Sequence, residues 1–285
     1  LHRTALTLSL AVLALALWPG SASAQYFGRN KVQWENFDWR VLKTEHFDIY
    51  HYPEEEKAVR DTARMAERWY DRLTSVFQRE FFERKSIVLY ADHSDFQQTT
   101  VVRGLIGQGT GGVTEGLKTR VVLPLTGNYE DTDHVLGHEL VHVFQYDILK
   151  DPLNQDPGNQ GVRQSAVDIP LWFIEGLAEY LSLGHESPQT AMWLRDALAR
   201  DELPTVKQLS RDPRLFPYRW GHAFWAYVGG RWGDAAVGQL FTRGVQVGLE
   251  GAMAEVLALS PEDFSEAWGG SIRQAYTPVL ERRQP

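Results

Sequence analysis

From residue 46 to residue 52 the chain alternates, HFDIYHY, with Phe47, Ile49 and His51 on one side and Asp48, Tyr50 and Tyr52 on the other. That period of two predicts a strand, closed by Pro53. Glu54, Glu55 and Glu56 then open a helix, acidic where the macrodipole favours negative charge. Its apolar positions Val59, Ala63, Ala66, Tyr70, Leu73 and Phe77 recur at three and four, so they form one buried face. Residues 86–91 (SIVLYA) and 119–125 (TRVVLPL) read as two more strands. Between them runs a glycine-rich segment, residues 104–116, with Gly107, Gly109, Gly111 and Gly112. It carries neither the Gly-Lys-Ser/Thr of a phosphate loop nor a dinucleotide fingerprint, and reads as a substrate-proximal loop or a plain turn.

Beyond residue 131 the period changes to that of helices. They are expected over 133–147, 170–184, 189–200, 217–230, 234–246, 249–258 and 261–276, with a polar loop over 151–168. The last opens Ser260-Pro261-Glu262-Asp263: a cap, proline at the first helical position, then acids. The pattern predicts an α+β protein, with a small mixed sheet in the N-terminal half and a mainly helical C-terminal half.

Composition removes several classes of function. The 285 residues include no cysteine, which excludes thiol catalysis, disulfides, iron–sulfur clusters and Cys-ligated zinc. A metal would have to be held by His and carboxylate. The net charge of −8 argues against nucleic acid or anionic lipid as the main partner. Residues 1–24 read as a secretory signal peptide: Arg3, an apolar run over 5–17, Pro19-Gly20, then Ala22-Ser23-Ala24 as the cleavage site. Its removal leaves −9, because Arg3 goes and no acid does. No other stretch is apolar enough to span a bilayer, so stable membrane insertion after cleavage is not expected and the protein reads as exported, to the periplasm or beyond. Residues 25–285 read as one domain, with an α/β subdomain over 25–130 and a helical one over 131–285.

Two helices carry the candidate chemistry. In GHELVHVFQY (residues 137–146), His138 and His142 sit one turn apart, about 40° apart around the axis, so both imidazoles can reach one ion. Glu139 lies about 60° from His142, placed to bond a metal-bound water without ligating. The rest of the helix is apolar, and a buried polar cluster is costly unless paired or metal-bound. In LWFIEGLAEY (residues 171–180), Glu175 and Glu179 are again one turn apart on a greasy helix. Zinc gives both a reason. Glu175 would be a third ligand, leaving a position for water, and Glu179 would accept the other ring N–H of His138. Gly176 would let this helix pack closely on the first. His134 falls on the same face as His138, one turn earlier, too far along the axis to share the ion. His46, His51, His93 and His185 have no partner spacing.

HELVH followed by WFIEGLAEY resembles the gluzincin metallopeptidases, in particular the bacterial peptidase MA-like families, which pair HExxH with W-x-x-E-G-x-A-x-Y. The resemblance implies a zincin-like fold, Zn2+ held by His138, His142 and Glu175, Glu139 as general base, and a peptide or protein as substrate. A tyrosine in about the place of Tyr218 would stabilise the oxyanion, with His222 as the other candidate. The strand over 119–125 would be the edge strand that pairs with extended peptide. The stretches FGRN, FDW, HFDIYHYP, DFQQT and GTGGVTEGLKTRVVLP look like the N-terminal protease part of large exported bacterial proteins, which implies a β-propeller partner or a further C-terminal domain. Two departures stand out. Glu175 follows His142 by 33 positions, longer than in thermolysin or aminopeptidase types, and the aminopeptidase G-x-M-E-N loop is missing, which favours endopeptidase action. The alternatives are a non-catalytic zincin-fold binding module with a structural metal, and a zinc hydrolase of non-peptide amides or esters.

Overall fold

The computed structural model describes residues 31–151 and 169–282, and its main compact unit begins at Gln33. The signal peptide, the FGRN stretch and most of the polar loop before Asp168 lie outside the described residues. The fold is mixed α+β, with a small sheet in the N-terminal half followed, among the described residues, by helices alone. No helix among the described residues is long and apolar enough to cross a membrane.

The sheet has five strands: β1 (Arg40–Lys43), β2 (Phe47–His51), β3 (Lys85–Tyr90), β4 (Val113–Glu115) and β5 (Arg120–Pro124). Their order is β1-β2-β3-β5-β4, with parallel pairs in the middle and an antiparallel pair at each edge. Phe47 and Ile49 of β2, Ile87 and Leu89 of β3, and Val121 and Leu123 of β5 face the main core. Tyr90 and Val122 face a smaller cluster with Tyr52, Phe96 and Ile106 on the other side. The alternation in the sequence thus became the two faces of one sheet.

Helix α1 (Glu56–Phe77) and helix α3 (Tyr129–Lys150) cover the first face, and the short α2 (His93–Phe96) lies between β3 and β4 in the chain. Trp69 of α1 donates from Nε1 to Asp133 Oδ1 of α3 at 2.9 Å. The remaining helices are α4 (Leu171–Leu183), α5 (Pro188–Ala199), α6 (Val206–Arg211), α7 (Pro217–Trp232), α8 (Asp234–Ala252) and α9 (Pro261–Glu281). Gly248, at φ 81°, breaks the helix that starts at Asp234, so the two segments expected there abut across a kink. The sequence pattern does not reveal β1, β4, α2 and α6, each six residues or shorter, too short to establish a period.

Two expectations about packing are corrected. The strand read over 119–125 is not an edge: β5 pairs with β3 on one side and β4 on the other. On that side of the sheet the edge, among the described residues, is β4, inside the glycine-rich segment, which turns back so that Thr114 opposes Val121. Gly176 does not serve contact with the His138 helix either. A Cβ there would lie 2.3 Å from Gly221 Cα, and one on Gly221 would lie 2.1 Å from Trp172 O. It is therefore α4 and α7 whose backbones touch, and two glycines make that possible. Gly221→Ala should destabilise the fold by about 1–3 kcal/mol or more, because backbone rather than a flexible side chain blocks the new methyl. Thermal unfolding of the variant beside the parent measures this, and an unchanged midpoint would refute the close approach.

Candidate metal centre

Helix α3 begins where the Asn128 side chain accepts from the Asp131 backbone N–H, with Glu130 and Asp131 in the first turn. It is buried nearly all round between α1, the sheet and α4, as an apolar helix in a core must be. His138, Glu139, His142 and Gln145 are buried with it. Helix α4, held against α3 on one side and α7 on the other, brings Glu175 and Glu179 to the same place.

The three expected ligand atoms form a nearly equilateral triangle. His138 Nε2 is 3.2 Å from His142 Nε2, and Glu175 Oε2 is 3.3 Å from the first and 3.2 Å from the second. A tetrahedral site with bonds of about 2.0–2.1 Å has donor–donor edges of about 3.3–3.4 Å. The triangle therefore has the dimensions of one face of such a tetrahedron, and among the described residues it is the group of three that could hold a metal ion. Its electrostatics suit a cation. Burial resists charge on the His138 ring, but the Glu175, Glu179 and Glu139 carboxylates outweigh it and hold the imidazole protonated well above its ordinary range. Burial likewise works against ionising Glu175, and the two imidazoles overcome it, holding the carboxyl below the usual range. A cation binding there would compete with a proton on His138.

Each imidazole has its own outer partner. Glu179 Oε1 lies 3.2 Å from His138 Nδ1, and Glu179 is in turn 2.8 Å from Arg219 Nη1 through Oε2 and 3.7 Å from His134 Nε2. His142 Nδ1 faces Gln145 Oε1 at 2.7 Å, and Gln145 Nε2 donates to the Ile174 carbonyl at 3.0 Å. A carbonyl can only accept, so the amide N–H2 must face Ile174 and its oxygen must face the ring. That requires the proton on His142 Nδ1 and leaves Nε2 as the ring nitrogen that faces the triangle. Gln145 thus links a candidate ligand on α3 to the residue before a candidate ligand on α4. Gln145→Leu should weaken metal binding by about 10–100-fold, measured by competition with a chromophoric chelator. A variant that binds as tightly as the parent would show that the link does not position His142.

Glu139 stands beside the triangle with its own holder. Thr114 Oγ1, on edge strand β4, donates to Glu139 Oε2 at 2.7 Å, and a Cβ on Gly112 would come within 3.0 Å of Glu139 Cγ. Tyr218, in the first turn of α7, lays its ring near-parallel to that of His138, with centroids 6.0 Å apart, and bonds the Glu175 carboxylate. Burial, then the negative charge of Glu175, pushes its phenol above the ordinary value, so it stays a neutral donor.

The structure thus gathers His138, His142, Glu175, Glu139, Glu179 and Tyr218 at one place. His222 has a different contact, beside the outer residues Glu179, Arg219 and His134. It is 1% exposed and its Nε2 is 2.9 Å from the Gly184 carbonyl, so that nitrogen is spent on the end of α4. Gln145, Thr114 and Arg219 join the site without having been expected from sequence. Gln145, three positions after His142 on a buried helix, had a readable signal. Thr114 and Arg219 reach the site through tertiary packing alone. No model of a known protein family matches this chain, and a search of curated proteins returns no match. Function must therefore be read from the residues themselves.

Proposed function

We propose that the protein is an exported zinc metallopeptidase of gluzincin type with a zincin-like fold, cutting within peptide chains. The observation that carries this is the triangle of His138, His142 and Glu175 with a further carboxylate, Glu139, held beside it by Thr114. Two imidazoles and one carboxylate are the donor set of catalytic zinc, three protein ligands with a position left open. Bound there, zinc would supply a Lewis acid and lower the pKa of its water to about 7.

The chain's own groups complete the chemistry. Glu139, aimed by Thr114 and wedged against Gly112, takes a proton from the attacking water and returns it to the leaving amine. Tyr218 offers a neutral O–H where negative charge develops on the carbonyl oxygen. Edge strand β4, which holds Thr114, has no strand on its outer side among the described residues and lies next to Glu139, so an extended substrate pairing with it would lie across the base. Glu179 and Gln145 fix the two imidazoles.

The purified protein should bind about one zinc per chain and cleave peptides in a broad library; a chelator should abolish the cleavage and zinc should restore it. A zinc-replete protein inert on that library but active on simple amides or esters would replace the peptidase reading with the broader hydrolase. One inert on all of them would leave a binding module with a structural ion.

A further inference from the structure

Among the described residues, two exposed aromatic side chains pack against each other. Phe216 is 42% exposed and Trp193 36% exposed, and their rings lie 5.7 Å apart. Phe216 in turn lies 5.3 Å from Tyr218, whose ring faces His138 at 6.0 Å. The interplanar angles along this row are 31°, 32° and 17°, so the rings face much the same way, whereas many aromatic contacts in the core are edge-on. The result is a half-exposed aromatic surface that ends on a candidate metal ligand.

The row is held rigidly. Phe216 caps α7 in extended conformation, at φ −65° and ψ 114°, immediately before Pro217, which disfavours the helical alternative. Trp193 projects from α5, whose Leu194 and Ala197 are buried in the core. Ring-to-ring steps of 6.0, 5.3 and 5.7 Å lead from His138 to Trp193, a span that a few residues of extended chain would cover at about 3.3 Å each.

We propose that Phe216 and Trp193 form a substrate subsite for an aromatic or large aliphatic side chain near the scissile bond, so that the peptides preferred are apolar on that side. This rests on the peptidase reading above. The exposed parts of these offset rings gain by being covered with another apolar group, and their continuity with Tyr218 makes the substrate the molecule that covers them.

The test uses zinc-loaded Glu139→Gln protein and fluorescently labelled peptides of one scaffold, with Ala, Leu or Phe placed in turn at three positions on each side of a central bond. Anisotropy should show Phe or Leu at one of these positions binding about 10-fold tighter than Ala, with the preference lost when Phe216→Ser and Trp193→Ser are added. Zinc stoichiometry and circular dichroism report folding, and Trp193→Ser alone, on an exposed helix face, serves if the combined variant misfolds. A preference that survives in these variants, or its absence in the parent, overturns the subsite. So does conversion of a dimeric parent to a monomer with peptide selectivity unchanged, which would make the row a self-association face. If apolar peptides bind selectively yet protein with Glu139 intact cleaves none, the peptidase reading fails and the subsite stands. Cleavage without selectivity gives the reverse.

Discussion

Replacing Glu139 by Gln should leave one zinc bound and lower kcat/KM for peptide hydrolysis by about 10²–10⁴-fold, the range expected when a positioned general base is lost. The substitution keeps the shape that fits against Gly112 and keeps an oxygen able to accept from Thr114 Oγ1. What it removes is the ability to take up a proton. Metal content and the far-ultraviolet spectrum should match the parent, because Glu139 is no corner of the ligand triangle. Full activity in the variant would strip Glu139 of its role. Loss of metal along with activity would make it a ligand or a structural support instead.

Glu175→Gln should weaken metal binding by more than the roughly 10–100-fold expected for an outer partner, because a charged ligand becomes a neutral one. The proton economy of the site should change with it. In the metal-free protein His138 carries a proton well above its ordinary range, held by Glu175, Glu179 and Glu139 against the opposing effect of burial. A metal must expel that proton to bind Nε2. Affinity should therefore rise with pH, by about tenfold per pH unit across roughly pH 6–8, with about one proton released per ion. Calorimetry in buffers of different ionisation enthalpy counts that proton. With Glu175 neutral, His138 loses one of the carboxylates that hold its charge, so the release should shrink. A parent whose affinity is flat across this range would show that no proton occupies the triangle.

The legibility of the site follows from its local construction. His138, Glu139 and His142 belong to one helix, and Glu175 and Glu179 to another, so helical periodicity alone puts each set on one face. Gln145 was legible by the same spacing. His222 also had suitable spacing from Tyr218, but a helix turns both toward the same side only approximately, and Gly184 at the end of α4 claims its Nε2. Periodicity located a face without saying what stands opposite it. The strands show the same limit: β2, β3 and β5 were readable from alternation, but which of them lies at an edge depends on pairing. The three residues of β4, set among glycines, carry no period to read.

The sequence by itself therefore determined the two helices that carry the candidate ligands, the α+β division of the chain and the exclusion of cysteine chemistry. These depend on residue type and on spacings of two, three and four, which the backbone geometry of strand and helix converts directly into faces. Only the tertiary structure decided that Glu175 meets both imidazoles, that β4 rather than β5 lies at the edge, and that Gly176 seats against Gly221 of α7. Each of those brings together residues far apart in the chain, and such meetings are set by how faces pack and how strands pair, which no local spacing encodes.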